Sequence, residues 1–168
     1  MSDNKSENEK KVNLDEVYDR VIQFMNDLKP PAIHEYKQDY KIIIPFKYTF
    51  PNNETITLNV DTRLGNKWIE IKCFLLSQKS LPKTPDLEFL LHKKLLQANF
   101  NFAEVCYSLD DDGNIFAEAD MPVDTDFVNF KSEFVSIVFA IEQIYQKIIP
   151  SVSEEIRKDD TYKKAMYT

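Results

Sequence analysis

The residues able to do chemistry in this chain are few, and their spacing narrows what they can do. The densest cluster is Asp110-Asp111-Asp112-Gly113-Asn114. Hard cations seek clustered carboxylates, so a calcium loop is the first reading. An EF-hand loop begun at Asp110 would need a bidentate Glu at its twelfth position, where Met121 stands. A hairpin turn explains the same residues, because Asp-Gly supplies the conformations that a tight reversal requires. Glu104 and Glu118 form the next pair, placed on the two strands of one hairpin and able to face each other for acid/base work. The spacing puts both on polar strand faces, where nothing nearby raises a carboxylate pKa. His34 falls in a charged connector and His92 within a helix beside Lys93 and Lys94, neither next to a nucleophile. Cys73 and Cys106 fall in strand patterns rather than at a helix N-terminus, which reads as two reduced structural thiols of a cytoplasmic protein.

Composition closes further classes. Gly65 and Gly113 are the only glycines, so neither a P-loop nor a dinucleotide fingerprint can be built. Two His and two Cys without C-x-x-C or H-x-x-x-H spacing make a zinc site implausible. No cofactor, metal or catalytic residue is therefore expected, and the chain reads as a non-enzyme. The balance of 21 Lys+Arg against 28 Asp+Glu, net charge −7, opposes phosphate backbones and speaks against nucleic acid. No apolar run approaches the roughly 20 residues that cross a bilayer, and the first residues lack the apolar core of a secretory signal.

The 168 residues suit one domain with short tails: a disordered leader over 1–11, an α+β domain over 12–150 and a polar C-terminal tail over 151–168. Leu14, Val17, Tyr18, Val21, Ile22, Met25 and Leu28 make one helical stripe, capped by Asn13 and ended by Pro30-Pro31. Period-two alternation then predicts strands over 40–50, 55–61 and 68–76, an antiparallel meander. Pro45 marks the first of these as an edge or a bulge. Leu64-Gly65-Asn66 predicts a turn with Gly65 free to adopt positive φ. A helix opens at Pro85 behind Thr84 as its cap, a hairpin covers 102–109 and 114–121, and a long apolar helix runs from Phe127 to Pro150. The order α-β-β-β-α-β-β-α predicts a single antiparallel sheet with helices packed on one face.

What remains is apolar surface outside these stripes. Phe89 and Leu96 lie off the main stripe of the middle helix. Val128, Val135 and Phe139 lie off that of the third, and Ile43, Phe100 and Phe102 lie off the core face of the first and fourth strands. Aromatics Phe46, Tyr48 and Phe50 read as core rather than as a base-stacking platform. Adjoining uncovered apolar residues suggest a protein interface, with Phe89, Leu96, Ile43, Phe100 and Phe102 as the candidate partner-binding or dimer residues. The competing reading is a small-molecule- or metal-binding, or hydrolytic, domain with a carboxylate pocket near Asp110 to Asp112 or Glu118.

The stretch from Leu95-Leu96-Gln97-Ala98-Asn99 through the acidic turn to Glu118-Ala119-Asp120-Met121-Pro122 and the closing helix resembles the C-terminal part of YbjN-like proteins and class I type III secretion chaperones. The resemblance covers about residues 13 to 149. It implies a small acidic cytoplasmic protein, a homodimer that pairs through its middle helix (85–99), and a non-catalytic role holding an extended protein client on apolar surface.

Overall fold

The computed structural model describes residues 12–81 and 85–166. The leader and the proposed Thr84 cap lie outside these residues. Asn13 caps α1 (Leu14–Leu28) by accepting the Asp15 amide, with Asp15 and Glu16 in the first turn. Lys29 at φ 53° closes it ahead of Pro30.

The connector holding His34 is more than a loop. It contains β1 (His34–Tyr36), which pairs with only the first three residues of β2 (Lys41–Thr49). Polar exposed side chains and a length of three residues leave such a strand no periodic signature. The meander continues through β3 (Thr55–Leu64) and β4 (Trp68–Ser77) as the alternation predicts. Gly65 does not use positive φ. That conformation falls instead to Lys29, Tyr40, Asn53 and Gly113, while the Gly65 amide closes its turn on the Trp68 carbonyl at 2.8 Å.

α2 (Pro85–Asn101) runs two residues beyond the middle helix expected over 85–99. Phe100 is consequently a helix residue and Phe102 follows the helix, so the fourth predicted strand shortens to β5 (Cys106–Leu109). Aromatic residues at 100 and 102 mimic strand alternation, but the helical bond from the Phe102 amide to the Ala98 carbonyl, 3.0 Å, takes precedence. β6 (Asn114–Pro122) pairs with both β5 and β4. The sheet order is β1-β2-β3-β4-β6-β5, antiparallel throughout.

α3 (Phe127–Gln143) is capped by Asp126, whose carboxylate accepts the Asn129 amide at 2.8 Å. Pro150 does not end the helical run. A π turn over Ile144–Ile148 is followed directly by α4 (Ile149–Met166). Proline lacks the amide an α-turn needs, and the wider turn just before it lets the chain continue. The apolar stripe continues with it, since Ile144, Ile148 and Val152 are all buried at four-residue steps.

The helices cover one face of the sheet. Ile42, Ile44, Val60, Ile69, Ile71, Cys73, Ile115, Ala117 and Met121 point to them from the strands, against Tyr18, Val21, Met25, Phe130, Ile137 and Ile141. The opposite face carries the ion pairs Lys41–Asp61 (2.8 Å) and Lys72–Glu118 (3.4 Å), and the edge-to-face rings of Phe74 and Phe116. No helix among the described residues is long and apolar enough to cross a membrane.

Candidate functional site

The acidic turn is held together by the side chain of its first residue. The Asp110 carboxylate accepts the Asp112 amide (3.0 Å), the Asn114 amide (2.8 Å) and the Asn114 side-chain amide (2.8 Å). These bonds, Asn114's first, hold its pKa below the ordinary carboxylate range. Lys79 pairs with Asp112 at 3.1 Å. The structure does not bring Glu104 and Glu118 together. Glu118 stands opposite Cys106 and pairs with Lys72, whereas Glu104 precedes β5 and accepts hydrogen bonds from Ser132 (3.0 Å) and Ser136 (2.9 Å) of α3. Among the described residues no group of three or more His, Cys, Asp or Glu is arranged to hold a metal ion. Both cysteines are free. Burial pushes the Cys73 thiol up to about 12 and raises that of Cys106, so neither favours a thiolate.

One carboxylate does have a perturbed environment, contrary to the expectation from sequence. Glu133 of α3 buries its Oε2 without a hydrogen-bond partner. Desolvation first, then the Glu104 and Asp120 charges, raise its pKa from 4.5 to about 7. The signal was available in the helical wheel, since position 133 falls between Ile137 and Ala140, both buried, at the margin of the apolar face. A pKa raised on folding contributes stability that is present below the unfolded value near 4.5 and lost as pH rises through about 7. Glu133→Gln is therefore expected to raise Tm at pH 8 by a few degrees, about 2–4 °C for each kcal/mol left after solvent screening. The gain should fade on titration to pH 4.5. Thermal melts of both chains across that range check it.

The apolar candidates fall in three places. Phe89, Leu96 and Phe100 share one face of α2, exposed by 67%, 69% and 91%, with His92, Lys93, Gln97 and Asn101 beside them. Ile43 lies on the opposite face of the sheet, in a hollow with Phe74 and Phe116. Phe102 is half-buried against Tyr107 and Phe139, with ring centroids at 5.7 and 5.5 Å. The structure thus gathers three of the five into one patch and leaves two outside it.

A second feature, the free edge of β2, follows from pairing geometry. The Phe50 amide bonds the Glu54 carbonyl and the Leu64 amide bonds the Tyr40 carbonyl, both on the β2–β3 register. Hydrogen-bonded pairs alternate in an antiparallel ladder, so the even residues of β2 engage β3 and the odd ones face outward. β1 reaches only Ile43, which leaves the outward backbone groups of Pro45, Lys47 and Thr49 without a strand among the described residues. Pro45 offers no amide on that side, which is where proline is tolerated.

Two hollows flank this edge on its helix side. One, of about 400 Å³, is lined by Leu28, Pro31, Phe46, Phe134, Val135 and Val138. The other, of about 790 Å³, lies between Phe50, Pro51, Tyr145, Ile149 and Pro150. The Phe50 and Tyr145 rings meet edge to face at 5.4 Å. Tyr145 is pinned by donating its hydroxyl to the carbonyl of Leu75, where the pairing of β4 with β6 shifts register. The π turn carries Tyr145 to this position.

No family model matches the chain, and no curated protein matches it. Solved structures do. The chain is similar to one in the ExsC–ExsE complex, at 10% identity and TM-score 0.51, over 80% of this chain and 95% of that one. It is also similar to one in the HopA1–SchA chaperone–effector complex, at 13% identity and TM-score 0.52, over 80% of this chain and 98% of that one. At such identities the likeness lies in the fold, and the α+β architecture of a six-stranded antiparallel sheet under helices matches that of secretion chaperones.

Proposed function

We propose that this chain is a non-enzymatic, cytoplasmic chaperone-like module that holds an extended segment of a protein partner. The observation that carries the reading is the unpaired run of β2 from Pro45 to Thr49 between two apolar hollows. A partner strand laid along that edge would gain backbone bonds from Lys47 and Thr49 and insert side chains into the hollows. Phe46 lines one and Phe50 the other. Four residues of extended chain span roughly 13 Å, so the segment held best carries apolar residues four apart. The fold's likeness to chains solved in complexes, one of them described as chaperone with effector, supports the same reading.

The second element of the proposal is a homodimer joined through α2. Phe89, Lys93, Leu96 and Phe100 repeat at four-, three- and four-residue steps, a seam about three turns long of the kind that pairs helices.

Thr49→Pro tests the binding mode. It deletes an outward amide that the fold does not use, in a strand that already accepts Pro45. Extended peptides with apolar residues four apart are expected to bind the parent chain and to bind Thr49→Pro at least about tenfold more weakly, the effect of one to two lost backbone bonds. Fluorescence anisotropy reads the affinities and circular dichroism the fold. Equal binding by a folded Thr49→Pro chain would remove strand addition at β2.

A further inference from the structure

β5 is the terminal strand at the other end of the sheet, and its edge is occupied at Tyr107. On the β5–β6 register, which sets Cys106 opposite Glu118, the Asp110 amide bonds the Asn114 carbonyl at 3.1 Å. The even residues of β5 therefore engage β6, and Tyr107 turns its backbone outward. There it meets the side chain of Asn99, near the end of α2. The Tyr107 amide donates to Asn99 Oδ1 at 2.7 Å, and Asn99 Nδ2 donates to the Tyr107 carbonyl at 2.9 Å. A carboxamide presents one acceptor and one donor side by side, the pair that a neighbouring strand would present. Asn99 thus occupies the place of one residue of a seventh strand.

Tyr107 is fixed in this position from the other side as well. Its ring is buried and its hydroxyl donates to the Ala140 carbonyl of α3 at 2.7 Å. Both outward groups at the middle of a four-residue edge strand are consequently satisfied inside the protomer. An unprotected edge of this kind is a template for pairing with the same edge of another copy.

We propose that Asn99 is a specificity-determining residue: its side chain closes the β5 edge against strand addition, a second copy's β5 above all, and leaves β2 as the receiving edge. The choice of β2 rests on the function proposed above, whereas the closure of β5 can be tested with no partner present. Asn99→Ala should open the edge. In dilute solution the Tyr107 amide is expected to exchange with solvent about tenfold faster than in the parent, the effect of one lost hydrogen bond. As concentration rises, light scattering after size exclusion should show mass growing beyond the parent's species. Asn99→Asp keeps an acceptor for the Tyr107 amide but sets a second carboxylate oxygen against the Tyr107 carbonyl, and it places a charge on the edge, so it should not associate even if the amide exchanges faster. If the alanine chain fails to fold, Asn99→Ser, too short to replace both bonds, takes its place in the same two measurements. A folded Asn99→Ala or Asn99→Ser chain whose mass stays at the parent's value at every concentration would overturn the proposal. So would a Tyr107 amide that remains as slow as the parent's. Neither result depends on how Thr49→Pro behaves.

Discussion

Leu96→Lys is expected to leave the protomer folded and to abolish the self-association proposed through α2. Leu96 is 69% exposed, and surface substitutions of this kind change protomer stability by only about 0.5 kcal/mol either way. In a two-fold interface each substitution enters twice. A buried charge without a partner costs about 3–5 kcal/mol, which weakens a dimer by at least about 100-fold in Kd. Lysine is the sharper choice than glutamate, because Lys93 and His92 share the face and would pair with an acid. Sedimentation velocity over a concentration series reads the result. A parent chain that stays strictly monomeric at high micromolar concentration removes the α2 dimer, and a Leu96→Lys chain that associates as the parent does moves the interface elsewhere.

Phe130→Ala carries the largest expected loss of stability. Phe130 is fully buried in α3, its ring 5.4 Å from Phe24 of α1 and 6.4 Å from Phe134. Phe24 also meets Phe127 at 5.6 Å, so one aromatic cluster fastens the first helix to the third. Truncation at this site removes about 3–5 kcal/mol, the transfer free energy of the ring plus the cavity left behind. For a chain of this size the Tm should fall by on the order of 10 °C. Urea unfolding followed by circular dichroism provides the check, and a midpoint within error of the parent's would show that the α1–α3 cluster can be dispensed with. Phe139→Ala, at a half-exposed position on the same helix, serves as the contrast, with a much smaller expected change.

Much of this architecture was legible wherever burial imposes a period. The stripe of α1 and the alternation of β2 to β4 and β6 appear in the structure nearly residue for residue, because one face of each is enclosed. Pro45 falls just beyond Ile43, the last β2 residue that β1 covers, so the proline sits where β2 has lost its outer neighbour, although β1 is the terminal strand of the sheet. The failures share a cause, which is that local signals compete with hydrogen bonds set elsewhere. β1 is short and exposed, so pairing alone defines it. Phe100 has a strand-like neighbourhood but follows the helical ladder of α2. Pro150 reads as a stop, yet the buried stripe of Ile144, Ile148 and Val152 carries the helix through.

The site divides in the same way. The exposure of Phe89 and Leu96 followed from the amphipathic pattern, since both lie off the stripe whose Leu91 and Leu95 turn inward. The clamp of Asn99 on Tyr107 and the hollows beside β2 depend on elements far apart in sequence, and no spacing rule reports them.

The wide turn ahead of Pro150 also divides the long C-terminal helix into two thermodynamic compartments. Unwinding that starts at the far end removes bonds one by one, and it meets a natural boundary where the proline supplies no amide to the ladder. The segment after Val152 can come undone while Ile137, Ile141 and Ile144 keep the sheet covered. Lys94 of α2 is tied to Glu155 within that detachable segment, so the helix bearing the proposed dimer seam loses an anchor whenever the end of the chain melts.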